Sequence, residues 1–273
     1  GDDQYPEGMA PVIERGAGCR VWDIDGNEFV EFGSGLRANT LGHGFEPVVR
    51  AVQRYLADGV GFVRPHRLER EAAERLIDLI PSAEMVKFGV NGSDATSAAV
   101  KLARAYTGRD MVAVCRQHPF FSTDDWFIVT TPMSAGIPDS VRPLTVQFSY
   151  NDLASLEALF EVHPGQIAAV VLEAETVEPP APGFFAGLRE LCDRDGALLV
   201  LDEIITGFRW HERGAQYLYS IEPDLCTFGK GIANGYVPNH IMNGQQTEQF
   251  SYIVVGVALM LIVIFRPQGI LGD

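Results

Sequence analysis

The stretch from Ala197 to Gly231 constrains the fold more than any other part of the chain. Five apolar residues, Ala197-Leu198-Leu199-Val200-Leu201, run straight into the acidic pair Asp202-Glu203. A short continuous apolar run of this kind predicts a buried strand, and open α/β sheets place their ligands beyond the carboxyl ends of such strands. Asp202 is then a charge at the lip of a core strand. Beyond it Thr206-Gly207 signals a turn. The stretch closes on Phe228-Gly229-Lys230-Gly231, where two glycines let the backbone approach a ligand closely.

Lys230 is one of only three lysines, with Lys87 and Lys101, in a chain whose other basic residues are arginines. An amine nucleophile has to be lysine, because a desolvated ammonium can lose its proton and form a Schiff base whereas guanidinium cannot. An aspartate and a lysine converging on one pocket suit pyridoxal 5'-phosphate: the carboxylate holds the pyridine nitrogen protonated and the lysine carries the aldehyde. The plain alternatives are a helix cap or surface charge for Asp202 and an ordinary loop for Gly-Lys-Gly. A P-loop is excluded, since the glycine and Ser/Thr it needs around its lysine are missing.

The run Leu201-Asp202-Glu203-Ile204-Ile205-Thr206-Gly207-Phe208-Arg209, followed by Pro223-Asp224-Leu225-Cys226-Thr227-Phe228-Gly229-Lys230, resembles the signature of class III pyridoxal-phosphate aminotransferases, within them the glutamate-1-semialdehyde aminomutase branch. The resemblance extends from about Val12 to Pro238. It implies an α/β fold, the type I PLP-dependent transferase large domain, with a mostly parallel sheet covered by helices. It also implies a homodimeric transaminase or aminomutase that takes a small-molecule amino donor, with Lys230 as the catalytic residue and Asp202 on the ring nitrogen. Gly92 and Ser93 fall on the Gly and Thr of the family's Ser-Gly-Thr-Glu-Ala-Thr phosphate motif. Glu173 corresponds to a strand-end glutamate near the cofactor, with a capping role equally open, and Ile204 packs on the ring face or simply in the core. Where most members have Tyr-His-Gly, this chain has Gln117-His118-Pro119. Gln117 stands at the position of the stacking tyrosine, so Phe120 or Phe121 is left to supply the ring, and Phe120 is the candidate carried forward.

Patterning along the chain agrees with alternating strands and helices. A hairpin is predicted at Arg20–Ile24 and Glu28–Phe32 around Asp25-Gly26-Asn27, and residues 1–17 read as surface chain. Helices are expected at 47–55, 68–79, 92–106, 152–160 and 187–193, and strands at 85–90, 111–115, 167–172 and 197–201. The N-cap of the third helix is read as Ser93 or Asp94. Arg37 reads as a surface arginine sooner than as a substrate ligand.

A net charge of −15 argues against a nucleic-acid partner, which requires basic side chains over phosphates. Cys19, Cys115, Cys192 and Cys226 are too dispersed for a zinc site, so no metal is expected; with no signal peptide in view, a cytoplasmic location follows. The expected organisation is 1–60 as an N-terminal subdomain, 61–238 as an incomplete cofactor-binding domain, and 239–273 as an atypical tail. Residues 250–265 carry no charge, a run just under the ~18 residues of a membrane-spanning helix. The tail's end is similar to the C-terminus of branched-chain amino-acid transporter permeases. Three readings therefore stand: a junction with an unrelated frame, a buried core segment, or a membrane contact confined to 250–265. The second functional class is a catalytically incomplete remnant.

Overall fold

The computed structural model describes residues 8–118, 120–175, 177–234 and 262–265. The chain divides into two units, 1–68 with 230–258 and 69–229 with 259–273, which are taken separately.

In the first unit an antiparallel sheet is built from β1 (Ile13–Ala17), β2 (Arg20–Asp23) and β3 (Glu28–Val30), in the order β1-β2-β3. The expected hairpin is β2–β3, pairing Arg20 with Val30 and Trp22 with Glu28. Its turn is held by Asp23, whose Oδ1 accepts the backbone N–H groups of Asp25 and Asn27 at 3.1 and 2.8 Å. An aspartate folded back onto its own backbone in this way mimics a backbone turn and fixes the loop. Residues 13–17, read from sequence as surface chain, instead pair with β2. After α1 (Ser34–Arg37), a turn whose four residues all have positive φ, comes α2 (Glu46–Leu56). Arg37 on that turn is exposed, as a surface arginine should be.

The second unit is a seven-stranded sheet. Its elements are α3 (Arg67–Leu79, the division of the chain falling at Leu68), β4 (Met85–Phe88), α4 (Gly92–Thr107), β5 (Met111–Cys115), α5 (Asp125–Ile128) and β6 (Thr145–Phe148). They are followed by α6 (Leu153–Val162), β7 (Ile167–Glu173), α7 (Phe184–Asp195), β8 (Leu198–Glu203), α8 (Gly214–Leu218), β9 (Leu225–Phe228) and β10 (Ile262–Phe265). The strand order is β4-β10-β9-β8-β7-β5-β6. Strands β6, β5, β7, β8 and β9 are mutually parallel, and β10 lies antiparallel between β9 and β4.

The apolar runs that predicted β5, β7 and β8 are buried on both faces, as strands in a covered parallel sheet must be. On one face Val112, Val114, Ala169, Val171, Leu198, Val200 and Leu225 meet Ala95, Ala99, Val100 and Ala103 of α4. Small residues on that helix stripe let it sit close to the sheet. The carboxyl ends of β5, β7, β8 and β9, together with the start of α4 after β4, then share one edge. Among the described residues no helix is long and apolar enough to cross a membrane, and Ile262–Phe265 of the apolar tail run is a strand within the sheet. The rest of that run, and the transporter-like end, lie outside the described residues.

Candidate active site

Strand β8 delivers Asp202 to the carboxyl edge almost fully buried. Its Oδ1 accepts the Ile204 N–H at 2.9 Å and the Thr227 hydroxyl at 3.0 Å. Thr227 is its register partner on β9, so the two side chains share a face of the sheet. Ile204, on the same face, is buried in the cluster against α4.

The next residue, Glu203, points to the opposite face. Its carboxylate accepts from the Thr206 hydroxyl (2.8 Å), the Ala215 N–H (2.7 Å), and the Gln216 backbone N–H and side-chain amide (3.0 and 3.2 Å). Burial pushes this carboxyl up from the ordinary range, with those four donors opposing. Two glycines make room around it. A Cβ on Gly207 would come within 2.4 Å of the Phe228 ring, and one on Gly214 within 2.5 Å of the Glu203 carboxylate. Gly214 also has φ +80°, a region few other residues occupy.

Helix α4 begins at this edge, and its N-cap is Asn91, whose side chain accepts the Asp94 N–H at 3.1 Å. The sequence had put the cap at Ser93 or Asp94; Asn91 takes it because its extended backbone (φ −152°) turns the side chain over the first turn. Gly92 and Ser93 therefore occupy the first turn itself, where backbone N–H groups and the helix dipole favour an anion. The Ser93 hydroxyl accepts the Thr123 N–H at 2.9 Å, which leaves its own proton to donate elsewhere.

Thr123 belongs to the loop after β5, and that loop is pinned at several points. Thr96 donates to the Phe121 carbonyl at 2.8 Å, and Ser97 bridges Ser122 and the Trp126 indole N–H, both at 2.9 Å. At the loop's other end the Glu173 N–H, on β7, donates to His118 Nδ1 at 2.9 Å. An acceptor role at Nδ1 places the imidazole proton on Nε2, which is buried without a partner among the described residues. Burial lowers the His118 pKa to about 4, so the ring is neutral.

Between these pins Phe120 is 52% exposed, edge-on to Phe127, while Phe121 is 1% exposed within the core. Of the two aromatic candidates, only Phe120 has a face available to a ligand. Gln117 is committed elsewhere, its side-chain oxygen accepting the Tyr150 N–H at 2.9 Å.

Lys230 belongs to the first unit, where it opens a short 3-10 helix, Lys230–Asn234, at φ +41°. That backbone region is costly for a residue with a side chain, by ~1–3 kcal/mol. Through Gly229 it follows directly on β9, whose Phe228 pairs with Glu203. The second unit thus brings Gly92, Ser93, Phe120, Glu173, Asp202 and Ile204 to its carboxyl edge.

The Aminotransferase class-III family model matches residues 4–252. The chain belongs to the class III aminotransferases. Over 241 residues it is 38% identical to glutamate-1-semialdehyde 2,1-aminomutase 2 of Bacillus licheniformis, a match that covers 83% of this chain and 56% of that protein. Among solved structures, an omega-transaminase from Sphaerobacter thermophilus superposes with a TM-score of 0.82 at 29% identity, over 97% of this chain and 59% of that one. A transaminase with PLP bound gives 0.82 at 26% identity, over 97% and 60%. This class III chain therefore spans little more than half the length of the relatives it matches, and it has their type I PLP-transferase fold. The cofactor of its class is pyridoxal 5'-phosphate, and the donor set fits that group. An anchored carboxylate, a helix start carrying a hydroxyl and a half-exposed ring have the chemistry that would suit, respectively, a cationic ring nitrogen, a phosphate and an aromatic face. Among the described residues no cluster of metal-ligating side chains is present.

Proposed function

We propose that this chain carries the cofactor-binding half of a PLP-dependent transaminase or aminomutase acting on a small amine: an amino acid, amino aldehyde or amino sugar. The observation that carries the reading is Asp202, a carboxylate buried at the carboxyl end of a parallel strand and gripped at one oxygen by two donors. The bound cofactor supplies an electron sink for the carbon next to the substrate amine.

The chain's own residues do the rest. Asp202 opposes the positive ring nitrogen and keeps its proton in place. Ser93 donates its hydroxyl proton to the phosphate, with the first-turn N–H groups of Gly92 and Ser93 beside it. Phe120 covers one face of the ring and Ile204 packs on the other, with Glu173 at the neighbouring strand end. Lys230 would hold the cofactor through its amine and, when that amine is free, would serve as the base for the proton on the substrate carbon. The homodimer expected of the class belongs to the same proposal.

The second reading is a chain that retains the binding signature without turning a substrate over. One experiment separates the two. Purified protein is mixed with pyridoxal 5'-phosphate, and the visible absorbance of the lysine-bonded cofactor is recorded for the parent and for Lys230→Ala, then again after a panel of amino donors. The enzyme reading expects absorbance in the parent, none from the variant, and spectral change with at least one donor. Absorbance that survives Lys230→Ala overturns the assignment of Lys230, and absorbance unmoved by any donor favours the remnant.

A further inference from the structure

The Asp202 carboxylate does not hold itself in place. Strand β8 fixes only its backbone, and an aspartate side chain at a strand end can still turn about two torsions. Two donors restrain that rotation at Oδ1, the Ile204 N–H at 2.9 Å and the Thr227 hydroxyl at 3.0 Å. The first donor comes from the main chain two residues on, and almost any side chain at position 204 would leave it in place. The second depends on the identity of one side chain. Thr227 is fully buried and lies directly opposite Asp202 in the parallel β8–β9 register. A carboxylate can only accept, so the hydroxyl donates.

We infer that Thr227 is a positioning residue for the cofactor's ring nitrogen, acting through Asp202 rather than touching the ring. The hydroxyl does two things to the carboxylate. It holds the plane of the carboxylate, and it stabilises the negative form that a protonated ring nitrogen would require. The β8–β9 register, once made, therefore sets the carboxylate directly.

This inference rests on the proposed cofactor reading, and the experiment keeps the two apart. Thr227→Val removes the hydroxyl at nearly constant volume, and Thr227→Ser keeps it while removing a methyl group. Cys226→Ser is the control: its side chain lies on the opposite face of β9, near Ser82 and Gln216, so it perturbs the same strand without reaching Asp202. For each protein the dissociation constant of pyridoxal 5'-phosphate, the pH dependence of the bound cofactor's absorbance and the melting temperature without cofactor are measured. Loss of one charge-assisted hydrogen bond should weaken cofactor binding in Thr227→Val by roughly 5- to 10-fold and shift the absorbance–pH profile. Thr227→Ser should restore both to within about twofold, the remainder being the lost methyl packing.

A role that is only structural predicts a different pattern, in which binding falls in step with the melting temperature and Cys226→Ser behaves like Thr227→Val. That outcome overturns the inference, as does a Thr227→Val protein with parent-like affinity and pH profile. Should Thr227→Val not fold, Thr227→Ala against Thr227→Ser makes the same comparison, and equal affinity in those two overturns it. If the parent itself binds no cofactor, the cofactor reading fails first and takes this one with it.

Discussion

Asp202 and Glu203 are consecutive carboxylic acids, both buried, yet strand alternation sends them to opposite faces of one sheet. On Glu203's face the fold supplies four donors from the turn and from α8, so the carboxylate acts as a rivet between β8 and the chain that follows it. On Asp202's face two donors converge on a single oxygen. One acid ties its strand to the turn and helix that follow it, and the other ties its strand to the neighbouring one. The lesson is that burial of a charge does not by itself mark a functional residue; the elements its partners come from say what it holds together.

Three measurements can break or sharpen this contrast. The largest effect is expected from Glu203→Ala, which strands buried donors and should cost ~3–5 kcal/mol of unfolding free energy in a urea titration. A cost under ~1 kcal/mol would mean Glu203 is no rivet. Next comes Asp202→Asn, nearly isosteric, which should leave the unfolding free energy within ~1 kcal/mol of the parent but weaken the ring contact by roughly 2–5 kcal/mol, slowing proton removal in a single turnover by about 30-fold or more. A normal rate with a lowered melting point would reverse the roles of the two acids.

The smallest effect concerns the loop pinned at the β7 edge by His118. Its folded pKa is about 4 against 6.5 unfolded, so between those values the unfolded chain binds the extra proton. Stability from this group is therefore complete above pH 6.5 and is lost as pH falls towards 4. From pH 6.5 to 5.5 the chain should lose about 1 kcal/mol, and His118→Asn, whose amide oxygen can accept from the Glu173 N–H, should flatten that slope. A slope unchanged in the variant would show that another group carries it.

Much of this organisation was legible in the sequence, and the exceptions have physical causes. Strands β5, β7 and β8 declared themselves because five or more apolar residues in a row leave few alternatives. Helices α2, α3 and α4 showed 3.6-residue periodicity and began within a residue of the expected positions. Strand β6, by contrast, is short and only half-buried as Thr145-Val146-Gln147-Phe148, and β1 is an exposed strand; neither presents a run or a clear alternation. At the candidate site, Asp202 was singled out by its place at the end of an apolar run, and Gly92, Ser93 and Ile204 by the family resemblance. Thr227 and His118 were not, since what gives each its partner is register across strands or a loop returning to a neighbouring strand end, which no window of sequence contains. Phe120 and Phe121 are chemically identical, and only the backbone's path decides which ring enters the core.

Strand β10 carries a consequence for how the molecule comes into being. It is inserted between β4 and β9, and Ile262 pairs with Phe88, about 170 residues earlier in the chain. Contacts of such sequence separation are slow to form, because the intervening chain must first surrender its freedom. Until β10 arrives, β4 has no neighbour in the sheet. The ribosome thus delivers the parallel strands that carry the two acids well before β4 can take its place beside them. Completion of the sheet is in this sense a late event, timed by the emergence of residues 262–265.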